Sequence, residues 1–188
     1  VNVDIASEFR YRAPLVGEGD LVIIISQSGE TADSLEALRV SKSLGAKVMG
    51  VVNAKGSSIA RESDMLVYTH AGPEIAVAST KAYMVQIAVM YMLSFELAFA
   101  KSKIDENECK RLTAELLAMP ERIAEIIKST DEISHEAAKG LIDAESLLYI
   151  GRGFDYALSM EGSLKLKEIS YIHSECYAAG ELKHGTIS

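Results

Sequence analysis

The sequence has little cysteine, little positive charge and no glycine–lysine signature of a nucleotide phosphate loop. Cys109 and Cys176 are its two cysteines, far apart and without metal-type spacing. They exclude a disulfide framework and point to a reducing, cytoplasmic compartment. His70, His135 and His173 show no ligand spacing either, so neither a metal nor a cofactor is expected. Acidic residues outnumber basic ones by 27 to 19, for a net charge of −8. That balance speaks against a nucleic-acid partner. The first ten residues include Asp4 and Glu8 and hold no apolar stretch, so no secretory signal is read there. The start at Val1, not at methionine, reads as a piece of a longer protein.

What is there is ordinary for a soluble globular domain: 48% hydrophobic and 24% charged residues in a chain of 188. That length can bury one sizeable core, or one domain and part of another. The longest apolar run is Tyr83–Ala100 (YMVQIAVMYMLSFELAFA). It falls short of the ~20 residues a membrane span needs and is interrupted by Gln86, Ser94 and Glu96. It is expected to be a helix buried nearly all round in a soluble core, with no membrane partner.

Strand and helix alternate through the first half. Leu21–Ser26 reads as a buried strand and Thr31–Leu44 as a helix stopped by Gly45. Lys47–Asn53 reads as the next strand, residues 56–63 as a turn with a short serine-capped helix, and Met65–Thr69 as a third strand. Crossovers of this length imply a parallel sheet. The long helix follows, running to about Lys101. Asp105–Met119 and Glu121–Ala144 read as amphipathic helices that pack on the sheet or connect two lobes. The strand pattern returns at Ser146–Ile150, with a glycine turn at Gly151 and Gly153 and a helix over Tyr156–Tyr171. The expected class is α/β: a parallel-sheet, three-layer αβα sandwich of flavodoxin-like type with extra connecting helices. The expected organisation is a first domain over 1–103, connecting helices over 104–145, and the opening of a second domain over 146–188. About 40 residues are too few for a complete second domain. Alternatively, the strand at 146–150 completes the first sheet, giving about four or five strands in one layer.

The chemistry-bearing signal is the junction Leu21–Glu30 (LVIIISQSGE). A buried strand ends in hydroxyls and a glycine, and a helix begins at once. Helix N-termini offer free N–H groups and partial positive charge to a phosphate. Ser26, Gln27, Ser28 and Thr31 are therefore phosphate-binding candidates at the C-terminal edge of a strand, where open α/β sheets bind ligands. Capping of the helix by Ser26 or Ser28 is the competing reading. Without a lysine-ended loop or spaced glycines, a small phosphorylated metabolite fits better than a nucleotide. Ser79, in Val77–Lys81 (VASTK), faces the same choice between an N-cap and a cleft residue. Glu161, Lys165 and Glu168 share one helix face. They form either an exposed ion-pair ladder or an acid/base site, in which a glutamate shuttles a proton between adjacent carbons beside an ammonium that stabilises an enediolate oxygen. His184 lies in a glycine-rich loop, where reactive groups are often presented.

Several strings together, SQSGETADSLEALRVSKSLGAKV, NAKGSSIARESD, VASTKA and GRGFDYALSMEGSLKLKEISYIHSECYAAGELKHG, resemble the isomerase part of the isomerising glutamine–fructose-6-phosphate aminotransferases, which is built of two SIS (sugar isomerase) domains. The resemblance covers essentially the whole chain. It implies that Ser26, Gln27, Ser28 and Thr31 hold the sugar phosphate, and that Val77 and Ser79 line the sugar pocket. It implies that Glu168 moves a proton between the first two sugar carbons and that Lys165 lies near the developing enolate oxygen. It implies that His184 opens the sugar ring, reaching the site of a neighbouring subunit. The implied partners are fructose 6-phosphate, glucosamine 6-phosphate and a second copy in a dimer. Nothing here matches the family's glutaminase domain, its first cysteine–glycine–threonine turn or its Schiff-base lysine. The isolated chain is therefore expected to be inactive. The alternatives are a non-catalytic sugar-phosphate sensor, another aldose–ketose isomerase, or a fructosamine-phosphate deglycase.

Overall fold

In a computed structural model the described residues run from 1 to 185. The chain divides into two compact units. The first comprises Val1–Ile75 with Ser79–Thr113, and the second comprises Ala76–Ala78 with the residues from Ala114 on.

In the first unit a short helix α1 (Ala6–Phe9) precedes β1 (Leu21–Ser26), α2 (Ala32–Ser43), β2 (Lys47–Val52), α3 (Ser58–Glu62), β3 (Met65–Tyr68) and α4 (Lys81–Ala100). Helix α5 (Glu106–Leu117) begins in this unit. The strands form one parallel sheet in the order β1-β2-β3. Register brings Ser26 beside Val52 and Val52 beside Tyr68, so the three strands end together. Helix α2 buries Ser34, Ala37, Leu38 and Ser41, the i, i+3, i+4, i+7 stripe of one helical face. That stripe meets Ile24, Val48, Val52 and Ile59 in the core. Burying Leu38 completely contributes roughly 2–3 kcal/mol. At the rim, Arg39 donates to both oxygens of Glu62 at 2.9 and 2.7 Å, and Asp64 accepts from the Val48 amide at 2.8 Å.

Two expectations need correction here. Leu21–Ser26 is not buried on both faces: Leu21 and Ile25 stay about two-fifths exposed, because α2 and α3 cover the face that carries Ile24. Nor is α4 buried all round. Ala82 and Val89 are its buried residues, while Tyr91, Met92, Leu97 and Phe99 are roughly half exposed. Its apolar residues circle the whole helix, so no single contact line can cover them all. By length and composition alone it would also suffice to cross a membrane.

The second unit contains α6 (Met119–Gly140), β4 (Ser146–Gly151), α7 (Phe154–Ser170) and β5 (His173–Ala178). Strands β4 and β5 pair in parallel, from Ser146 beside His173 to Gly151 beside Ala178. The strand at 146–151 therefore does not complete the first sheet; it opens a second, two-stranded one. Helix α7 packs on this pair. At its centre the buried hydroxyls of Ser163 and Ser174 bond at 2.9 Å. Gly151 is required at the start of the β4–α7 turn: a Cβ there would lie 2.4 Å from the Asp155 carbonyl oxygen. Helices α5 and α6 have no fully buried residue.

Candidate functional site

The phosphate candidates lie where β1 stops. Ser26 Oγ is buried and accepts from the Gly29 amide at 3.0 Å, closing the turn from inside. It also lies 3.4 Å from Thr31 Oγ1. Ser28 Oγ accepts from the Glu30 amide at 3.2 Å. Thr31 is the N-cap residue of α2, yet its side chain makes no capping bond. The opening amides of α2 are thus left for another acceptor. Thr31 itself is exposed, while Gln27 and Ser28 are half-buried. The competing reading, in which Ser26 or Ser28 caps the helix, does not describe this turn: both hydroxyls serve the loop ahead of it.

The turn is held from a second side, by residues that sequence reasoning missed. The Gly29 carbonyl accepts from Ile59 at 3.0 Å, and Glu30 Oε1 accepts from the Ser58 amide at 2.8 Å. These bonds to Ser58 hold the Glu30 carboxyl below its ordinary range. Gly29 has φ +66° and presses against Ser57. The Gln27 carbonyl accepts from the amides of Asn53 and Ala54 at 3.1 and 3.3 Å. Asn53 follows β2 as Gln27 follows β1, and that position at a strand end was the available signal.

Ser79 donates to Glu74 Oε2 at 3.0 Å, and Lys81 Nζ donates to the Pro73 carbonyl at 2.5 Å. The segment carrying Ser79 is thereby tied to its own beginning. The N-cap residue of α4 is Thr80, so Ser79 does not occupy the capping position. Val77 is almost fully exposed.

In the second unit, α7 brings Lys165 together with both glutamates. Lys165 Nζ lies 2.6 Å from Glu168 Oε2 and 3.4 Å from Glu161 Oε1. All three side chains are between 21 and 29% exposed, unlike a solvated surface ladder. The Glu168 hydrogen bond raises the Lys165 ammonium above its ordinary pKa, against the opposing effect of burial. An ammonium between two carboxylates can hold a developing oxyanion while a carboxylate moves a proton. His184 lies in the exposed turn after β5, with its amide donating to the Glu181 carbonyl at 2.9 Å. Among the described residues no hydrogen bond or ion pair joins its side chain to Lys165 or Glu168. Cys176, whose thiol burial pushes up, shows none of the depressed pKa of a nucleophile. No group of three or more metal-ligating side chains occurs among the described residues.

The chain is 53% identical over all 188 residues to a glutamine–fructose-6-phosphate aminotransferase (isomerizing) of Clostridium acetobutylicum. It is 55% identical to the enzyme of that name from Clostridium tetani. In both cases it spans 31% of the relative's length. Among solved structures, the C-terminal domain of glucosamine-fructose-6-phosphate aminotransferase from Francisella tularensis superposes with a TM-score of 0.93 at 43% identity, over 99% of this chain and 52% of that one. A family model described as the SIS domain matches residues 1–95 and 140–188. On this match, and with parallel strands flanked by helices as its architecture, the chain belongs to the SIS domain family.

Proposed function

We propose that this chain is a sugar-phosphate-binding isomerase part of an enzyme that makes glucosamine 6-phosphate and glutamate from fructose 6-phosphate and glutamine. The observation that carries the reading is the Ser26–Thr31 turn, closed from inside by Ser26 and followed by a helix whose N-cap side chain makes no capping bond. A phosphate there would accept from the opening amides of α2 and from the hydroxyls of Ser28 and Thr31, with Gln27 adding a carboxamide. Val77 and Ser79 would line the sugar. Glu168 would carry the proton between the first and second carbons, and Lys165 would stabilise the enolate oxygen. His184 would open the ring in the site of a second copy, which makes a homodimer the working form.

A pure sensor needs the phosphate turn and nothing more. The half-buried contact between Lys165 and Glu168 favours the catalytic reading. The chain alone is proposed to bind without turnover, since it spans 31% of the length of its aminotransferase relatives.

The test is calorimetric titration of the chain with fructose 6-phosphate and glucosamine 6-phosphate, with Ser28→Ala in parallel. Binding that weakens in the variant supports the reading. No binding by the folded chain would reject this turn as a self-sufficient phosphate site.

A further inference from the structure

We infer that Asn53 is a positioning residue that joins the phosphate turn to the segment carrying Ser79, and so sets how the sugar end of the ligand is held. The inference rests on the phosphate reading of the Ser26–Thr31 turn and adds a residue to it.

Asn53 stands at the C-terminal end of the central strand, between the ends of β1 and β3. Its backbone faces one neighbour and its side chain the other. The Asn53 amide, with that of Ala54, donates to the Gln27 carbonyl in the phosphate turn. The side-chain oxygen Oδ1 accepts from the Ala71 amide at 2.8 Å and from Thr69 Oγ1 at 3.1 Å. The side-chain nitrogen Nδ2 donates to the Gly72 carbonyl at 2.7 Å. One carboxamide thus fixes three of the four positions 69–72 in the turn that leaves β3; the fourth, His70, adopts φ +54° as the chain reverses. From Gly72 the constraint passes on: Pro73 is tied to Lys81, and Glu74 to Ser79.

The two halves of the residue separate two effects. Side-chain changes leave the backbone bonds to Gln27 in place, so the phosphate turn keeps its shape. They release Gly72, and with it the starting point of the Ser79 segment. Asn53→Asp is the sharpest change. A carboxylate still accepts from Ala71 and Thr69, but it loses the donor to Gly72 and turns an oxygen toward that carbonyl. Thr69→Val is the milder change, removing one donor to Oδ1 without altering side-chain volume.

The experiment is an amide-resolved NMR titration of the full chain with two probes, inorganic phosphate and fructose 6-phosphate. In the parent chain both probes move the Ser28 and Gly29 amides, and the sugar phosphate binds more tightly. In Asn53→Asp the added negative charge lowers the affinity for both anions, but fructose 6-phosphate affinity falls on the order of tenfold further than that of phosphate. Thr69→Val shows the same split with a smaller loss, and it carries the test if Asn53→Asp does not fold. A merely structural role would lower both affinities by one factor, or lower the melting temperature with both affinities intact; either result overturns the inference. A parent chain whose Ser28 and Gly29 amides respond to neither probe rejects the phosphate reading itself, and the ligand role of Asn53 with it.

Discussion

Gly29 sits against Ser57 so closely that a Cβ on Gly29 would lie 2.1 Å from Ser57 Oγ and 2.6 Å from Ser57 Cβ. Ser57 is buried and caps α3, so it cannot swing away without cost. Gly29→Ala meets this wall and also the strain of φ +66°. The variant should lose about 2–4 kcal/mol of stability in urea melts. Ser57→Gly removes the wall but not the strain. Placed together, the two changes should cost less than their sum, and strict additivity would show that the contact is not what forbids alanine.

The Ser163–Ser174 pair predicts another non-additive result. Ser163→Ala leaves the Ser174 hydroxyl buried without its partner, which costs about 1–3 kcal/mol. Ser174→Ala does the same to Ser163. The double variant, with no orphaned hydroxyl, should be nearer to the parent than the two single losses imply. Equal additive losses would mean that each serine acts through packing alone.

Lys165 makes stability sensitive to alkali. Its folded pKa is raised, chiefly by the Glu168 hydrogen bond. The stabilisation is therefore fully present below the unfolded lysine value of about 10.4 and is lost as pH rises through the higher folded value. Urea midpoints of the parent and of Lys165→Met, measured across that range, should converge as pH increases. A gap that stays constant would mean that the charge of Lys165 does not contribute to folding.

Asp64 gives the acid counterpart. The Val48 amide and then Lys42 hold its carboxyl below the ordinary value. Its contribution is present above the unfolded pKa of about 3.9 and disappears as pH falls through the lower folded one. Asp64→Asn should be destabilised at neutral pH and nearly level with the parent in strong acid. An offset independent of pH would reject the charge-based account.

Much of the first sheet and of the turn at Ser26–Thr31 was legible in the sequence. Apolar runs at Leu21–Ser26 and Lys47–Val52, each followed by turn residues, define strands through local pattern, and Gly45 marks the end of α2 through backbone freedom. Strand β5 was not foreseen because HSECYA carries polar residues where a buried strand is read by its apolar ones. Its inward serine is satisfied by Ser163, a partner eleven residues away that no local pattern announces. The exposure of α4 was misread for a related reason: composition says that a surface is apolar, not what lies against it. The Lys165–Glu168 contact was visible in helical spacing, whereas Asn53 was not, because its partners at 69–72 are local to it only in space.

The shared ending of β1, β2 and β3 limits how this part of the chain can change in length. Side chains alternate between the two faces of a strand, so a single inserted residue within β2 would turn every later one to the opposite face. Val52 would leave the core, and Asn53 would no longer stand between Gln27 and Thr69. Drift by insertion or deletion is thus confined to stretches outside the strands, such as the exposed turn at Lys55–Gly56, while the three strand ends keep a fixed count.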